Sequence, residues 1–385
     1  MSVARQQGVV IAGAAETARI GVIPELSAIE LHAEAARAAA RDAGIALRDV
    51  DGIAASTPFV YEVSDALGLR PRWVDGTNVG GCSSLVHVRH AVAAIHSGAA
   101  DMVLVTHGES GRSQVGMRPW PWSASSMEGQ FEHPYGLTAP YATHALPVLR
   151  FLHDTGMTRR DLAEVVVAQR EWAQGNPRAG RRTPVDLDTV LAQPPVCYPL
   201  TKEMCCLVSD GGGALVLMSA ERARDLPSAY RAVHVLGAAE AAESAILSQM
   251  DDLTSFHASR RSTRDALQEA NLTTGDIDHA MLYDAFAHFP LYALEDCGFV
   301  GRGESGGFIG DGHTRPGGRL PVNTNGGGLS YAHTGMYGMF AIQEAVRQLR
   351  GEAALDAGRV RTSLVHGVGM MFAVAAVLVL AAESA

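Results

Sequence analysis

Four short stretches carry the residue types from which an active site can be built. In GGCSSLVHV, residues 80–88, Cys82 follows two glycines and precedes an apolar run of helical spacing. A thiol at such a strand-to-helix elbow gains thiolate character from the helix dipole and its free N–H groups, which suits a nucleophile. The plainer alternative is a small buried residue at a crowded turn. In NTNGGGLSYAHTGMYG, residues 323–338, Gly327 and Gly328 allow the backbone to approach a ligand closely, and His333 stands two residues after Tyr331. LYDAFAHF, residues 282–289, ends a strand at Tyr283 and offers Asp284 as a helix cap. SLVHGVGMMF, residues 363–372, sets His366 in a glycine-flanked turn a little after Ser363. All four fall at strand ends or the turns that follow, where α/β sheets present functional groups.

The elements that must position these residues alternate. GVVIAGAAE reads as a buried strand, AIELHAEAARAAARDAG as an alanine-rich helix closed by Gly44, and VDGIAAST as a second strand. SLVHVRHAVAAIHSG is a helix and DMVLVTHG another strand, so a parallel or mixed sheet with helices on its faces is expected. The second half repeats the plan. Residues 40–56 align with 267–283 without a gap, TNVGGC is echoed by TNGGGL, and LVTHG by SLVHG. Three matches in the same order indicate duplication. We therefore expect two similar αβ halves, residues 1–225 and 226–385, facing each other across a shared core. The first half includes a less periodic region, about 110–200, with Trp120, Trp122, His133 and one helix, MTRRDLAEVVVAQREWAQ. A stretch of that kind inside a compact enzyme is often a substrate-side insertion.

With 385 residues, 47% of them hydrophobic and 19% charged, the chain can bury a sizeable core. A formal charge of −10 argues against a nucleic-acid partner, although local basic clusters can still hold a small anion. Five cysteines without a CxxC pair give no disulfide framework, and a reducing, cytoplasmic setting fits best. The N-terminal segment reads as a first strand rather than a signal peptide, and FAVAAVLVLAA is too short to span a bilayer. Adjacent Cys205 and Cys206 would point to opposite faces of a strand, and no segment has zinc-ligand spacing, so no metal is expected. Arg178, Arg181 and Arg182 after an Asn-Pro turn are either phosphate ligands or a solvated basic loop.

These blocks together resemble the thiolase superfamily, in particular its lipid-transfer-protein or sterol-carrier-type branch, over nearly the whole chain. GGCSS stands where that branch carries its cysteine, and REWAQGNPRA resembles its helix ending in an Asn-Pro turn. CCLVSDGGGALVLMSAERARDL resembles its Ser-Asp-Gly strand, GGGLSYAHTGMYG its Gly-His-Pro loop and SLVHGVGMMF its final segment. The resemblance implies a layered αβαβα fold and acyl-CoA thioester substrates, with coenzyme A part of the substrate and no permanently bound cofactor. By position it assigns acyl transfer to Cys82, oxyanion stabilisation to His333 and position 283, and proton shuttling to position 363, with His366 nearby.

The sequence departs from that set. Tyr283 replaces the usual Asn or His, Ser363 the second cysteine, and Tyr331 intrudes before His333. This changed set resembles the steroid side-chain aldolases of the superfamily, which cleave a β-hydroxyacyl-CoA by a retro-aldol reaction. That chemistry needs a base for the β-hydroxyl proton and donors for the enolate forming at the thioester carbonyl. Tyr331 and Tyr283 are then expected to transfer protons, with His333 and His366 as enolate-side donors. Acyl transfer through Cys82, and a non-catalytic acyl-CoA-binding or scaffold protein, are the alternatives. The resemblance further implies a homodimer and a zinc-ribbon/OB-fold partner of the DUF35 kind.

Overall fold

The computed structural model describes residues 8–117, 123–228 and 231–382; Trp120 and Trp122 lie outside them. Nine strands form one mixed sheet: β1 (Val9–Glu16), β2 (Gly52–Ala54), β3 (Trp73–Asp75), β4 (Met102–Ser110), β5 (Asp210–Ser219), β6 (Val233–Ala242), β7 (His279–Leu282), β8 (Thr362–Gly369) and β9 (Val374–Ala381). Their order across the sheet is β3-β2-β4-β5-β1-β6-β9-β8-β7. Read outward from the β1–β6 junction, the two sides repeat one plan. On one side β5 and β4 are antiparallel and β4 and β2 parallel; on the other β9 and β8 are antiparallel and β8 and β7 parallel. Only three residue pairs, Val9–Val235, Val10–His234 and Ile11–Val233, join the halves edge to edge.

The principal helices are α1 (Ala28–Ala43), α2 (Ser83–His96), α3 (Pro140–Thr155), α4 (Arg159–Gln174), α5 (His257–Ala270), α6 (His288–Asp296) and α7 (Gly338–Arg350). Helix α1 covers one outer face, on β1, β4 and β5, and α5 covers the other, on β6 and β9. Between them α2 and α7 pack against strands of both halves, so the layers run α, β, α, β, α. This is the expected architecture, with the two halves of the sheet joined through the short β1–β6 ladder.

Local chemistry explains why the duplicated elements match. Ser27 and Glu30 form a reciprocal capping box at the start of α1. Helix α1 ends at Gly44 with φ 74°, and α5 ends at the aligned Asn271 with φ 54°. Glycine and asparagine are the two residues that enter the left-handed region most easily, so the same stop is built twice with different letters. The alanines of α1 let it settle close on the sheet: a Cβ at Gly13 would stand 2.3 Å from the Ala39 carbonyl.

Three local expectations are corrected. His366 sits within β8, fully inside the sheet, rather than in a turn. Asp284 does not cap α6, which starts four residues later; it caps the single turn at Gly327–Ser330 instead, accepting from the Gly328 and Leu329 N–H groups. The 110–200 region contains α3 as well as α4. Pro140 and Pro147, and a buried face that includes Thr143 and His144, hid the apolar period of α3. Among the described residues no helix is long and apolar enough to cross a membrane.

Candidate active site

The ends of β4, β7 and β8 open onto a cavity of about 310 Å³. Its walls are largely apolar, with Phe286, Phe289, Met336, Met370 and Met371, and its polar groups are Glu109, His144, Cys206, Tyr283 and His333. Tyr283 follows β7 directly. Asn323 fixes that strand end, its side chain accepting from the Leu282 N–H and donating to the Leu282 carbonyl, both at 2.8 Å. The Tyr283 hydroxyl is 3.1 Å from His333 Nε2. The Gly335 N–H donates to His333 Nδ1 at 3.3 Å, which places the ring proton on Nε2 and makes His333 the donor to the phenol oxygen. Burial pushes the Tyr283 phenol well above its ordinary value and lowers His333 to about 4. At neutral pH the pair is a neutral imidazole donating to a neutral phenol. The phenol hydrogen is then free to meet a substrate oxygen.

The glycine elbow presents this phenol with its floor. A Cβ at Gly81 would lie 2.0 Å from the Tyr283 hydroxyl oxygen. Gly81 lines the cavity and Cys82 does not. Cys82 is fully buried on the other side of the elbow, with its Sγ 3.7 Å from the Val374 carbonyl of β9, and burial raises its thiol pKa strongly. The structure therefore puts the expected nucleophile one residue out of phase with the cavity, held as a protonated thiol in the core. Cys206 does reach the cavity, where burial pushes its thiol up to about 12.

Tyr331 and Tyr283 are not brought together. The Tyr331 hydroxyl donates to Glu16 Oε2 at 2.5 Å and accepts from Arg178 Nε at 3.2 Å. Burial alone would raise the Glu16 carboxyl, but Arg347 and Arg178 outweigh it and hold it below its ordinary value. Tyr331 is thus one member of a buried ion network. His366 faces α5, with Nε2 2.7 Å from Ser259 Oγ, and Ser363 is paired with the His279 ring at 2.8 Å. Neither lines the cavity. Gly327 and Gly328 make room for Asp284 rather than for a ligand: a Cβ at Gly327, where φ is 66°, would stand 2.2 Å from the Asp284 carboxylate.

Beside the cavity, and sharing Cys206 with it, is a vestibule of about 660 Å³. Arg112, Arg170, Arg181, Arg182 and Lys202 line it, against Glu203 as the acidic residue. Arg181 and Arg182 therefore face a basic hollow, whereas Arg178 spends its donors on Glu16, Thr17, Ala18 and Tyr331. Among the described residues no His, Cys, Asp and Glu cluster is arranged to hold a metal.

Two residues escaped the sequence reading. Glu109, at the end of β4, has its side chain 12% exposed toward the cavity, and burial raises its carboxyl to about 7. His144 of α3 lines the cavity with Nδ1 unpartnered, and burial lowers it to about 3. Glu109 had a legible signal, an ionisable residue at the end of a buried strand; His144 had none.

A family model described as thiolase C-terminal domain-like matches residues 239–382. A Mycobacterium tuberculosis protein named 17-hydroxy-3-oxo-4-pregnene-20-carboxyl-CoA lyase is 35% identical over 342 residues, 84% of this chain and 87% of its own length. An acetyl-CoA acetyltransferase of Methanothermobacter thermautotrophicus is 32% identical, over 90% of this chain and 91% of its own. The solved structure titled Ltp2-ChsH2(DUF35) aldolase superposes with a TM-score of 0.89 and 31% identity, covering 97% of both chains. The chain belongs to the thiolase superfamily. Within it, the chain is similar to enzymes that act on CoA thioesters, the steroid side-chain aldolases among them.

Proposed function

We propose that this protein is an acyl-CoA lyase that cleaves a β-hydroxyacyl-CoA of the steroid side-chain type by a retro-aldol reaction. One observation carries the reading. The cavity holds a phenol that an imidazole polarises, Tyr283 and His333, over a glycine elbow whose cysteine is turned away. Retro-aldol cleavage needs no acyl-enzyme, only a base at the hydroxyl and a donor at the thioester oxygen where negative charge develops. The Tyr283 hydroxyl, whose oxygen accepts a hydrogen bond from His333 Nε2–H, is that donor.

The vestibule gives the thioester its handle. Four of its basic side chains suit the phosphates of coenzyme A, with Arg181 and Arg182 retained from the sequence expectation and Arg112 and Lys202 added, whereas buried Arg170 gives its donors to Ser330, Thr183 and Glu203. The pantetheine arm would pass Cys206 into the apolar cavity. Relatives named lyase and aldolase support the reading. A partner of the DUF35 kind fits the exposed Tyr141, Leu146 and Leu149 of α3 and the neighbouring Val196 and Tyr198, of which Tyr141 and Val196 also line the vestibule. A homodimer would pair through the open edge of β3, where Val74 is exposed. Five free cysteines suit a cytoplasmic setting.

The test is turnover of a β-hydroxyacyl-CoA, read as the ketone or aldehyde released, together with intact-mass measurement of the protein. Tyr283→Phe should lower kcat by about 10²–10³-fold, the usual effect of removing one oxyanion donor. Cys82→Ala should keep its turnover, and no acyl adduct should form. A trapped adduct with an inactive Cys82→Ala variant would establish acyl transfer instead.

A further inference from the structure

We propose that His144 forms an oxygen-recognition subsite: its ring takes a hydroxyl or carbonyl oxygen carried by the fragment that leaves as the carbonyl compound, and so selects among β-hydroxyacyl-CoA substrates. The inference rests on the lyase reading and adds to it a chemical feature of the substrate.

The polar groups of the cavity differ in whether the protein already occupies them. Tyr283 and His333 bond to each other, and Glu109 accepts from Thr334. Among the described residues no protein group bonds to the His144 ring, and its Nδ1 is sealed in the wall without a partner. The residue is 1% exposed, yet it lines the cavity, which leaves Nε2 as the nitrogen turned toward it. Burial keeps the ring neutral near pH 7, so it carries one donor and one acceptor. A buried imidazole without hydrogen bonds costs free energy that a phenyl ring in the same place would not. A ligand that supplies the missing bond recovers part of that cost.

The packing shows which part of the substrate meets it. The His144 ring centroid lies 5.0 Å from that of Phe289 and 5.1 Å from those of Phe286 and Phe372. Phe289 is in turn 5.9 Å from Tyr283. His144 therefore stands one aromatic ring beyond the phenol assigned to the thioester oxygen, and it does not line the vestibule. The pantetheine arm ends at the thioester, so the substituents of the β-carbon are what extend toward His144. The cavity volume of about 310 Å³ is roughly ten times a water molecule's share of the liquid, more room than the reacting carbons need.

With Nδ1 unpartnered, nothing in the protein imposes a tautomer on His144. One tautomer donates to a ketone and the other accepts from a hydroxyl, whereas an alkyl group satisfies neither. His288 of α6 provides the contrast. Its ring lies 5.2 Å from that of His144 and both its nitrogens are unpartnered, but it does not line the cavity. A substrate oxygen can reach His144 and not His288.

The test compares two CoA thioesters whose leaving ketones differ by one hydroxyl. They are 2-(1-hydroxycyclopentyl)propanoyl-CoA and its ring-hydroxylated form, 2-(1,3-dihydroxycyclopentyl)propanoyl-CoA. Cleavage gives kcat/KM for each. The same pair without the β-hydroxyl cannot be cleaved and gives Kd by titration calorimetry. The wild type should prefer the ring-hydroxylated compound by about 10–100-fold in both measurements. His144→Phe, which keeps the aromatic packing, should remove the preference while melting no lower than the wild type. His144→Gln restores a donor and an acceptor and should recover part of the preference, and His288→Phe should keep all of it. A wild type that treats the two compounds alike, or a preference that survives in His144→Phe, overturns the subsite and leaves the lyase standing. Weaker binding of propionyl-CoA by His144→Phe would assign the ring to the pantetheine arm and also overturn the subsite. A His144-dependent preference in Kd, in a protein that cleaves neither compound, would support the subsite and overturn the lyase.

Discussion

A carboxyl buried at a cavity wall should weaken the fold, and Glu109 allows the size of that effect to be worked out. Burial raises its carboxyl to about 7 from an ordinary 4.5. Between these values the native state holds a proton that the unfolded chain has released, so stability falls as pH rises through the window. Above pH 7 the whole penalty is present, about 3 kcal/mol from the separation of the two values. Glutamine has the same shape and never ionises. Glu109→Gln should therefore match the wild type near pH 4 and exceed it by about 3 kcal/mol at pH 8, which for a chain of this length is a melting temperature higher by about 4 °C. Thermal unfolding of both proteins at pH 4, 6 and 8 reads the effect directly. A difference that stays constant with pH, or a variant less stable at pH 8, would refute the argument that the carboxyl pays a desolvation penalty at this site.

Two further substitutions separate the site from its surroundings. Tyr331→Phe removes one donor from Glu16 but leaves Arg178 and Arg347 in place, so it should cost about 1–2 kcal/mol of stability and leave kcat unchanged; a fall in kcat equal to that of Tyr283→Phe would return Tyr331 to the reaction. Gly81→Ala forces a Cβ to within 2.0 Å of the Tyr283 oxygen and 2.5 Å of the Val368 carbonyl. It should destabilise the fold by about 1–3 kcal/mol and reduce turnover as far as Tyr283→Phe does, and normal kinetics in that variant would show that the phenol does not need its place over the elbow.

The fold was legible because its signals are local or repeated. The stop at Gly44 and its counterpart at Asn271, and the echo of LVTHG on β4 by SLVHG on β8, announced two halves before any contact was known. Sequence position pointed to the cavity wall where a residue directly follows a strand, as Tyr283 follows β7, or sits in a glycine-rich loop, as His333 does. It failed where a rotation or a distant partner decides. Whether Gly81 or Cys82 faces the cavity depends on one residue of phase at a turn, which composition does not encode. Tyr331 was drawn away by Glu16, a residue 315 positions earlier in the chain. Gly327 and Gly328 were rightly read as a close approach, but what approaches is the carboxylate of Asp284.

The fit between Gly81 and Tyr283 has a consequence for how such a site can change over time. The phenol oxygen occupies the volume that any side chain at 81 would need. A side chain at position 81 and a phenol at 283 are therefore rival tenants of one space. A lineage that replaced either residue alone would pass through a form with both groups in collision or with neither present. Epistasis of this kind ties the two positions together: position 81 can accept a side chain only once the phenol at 283 has gone.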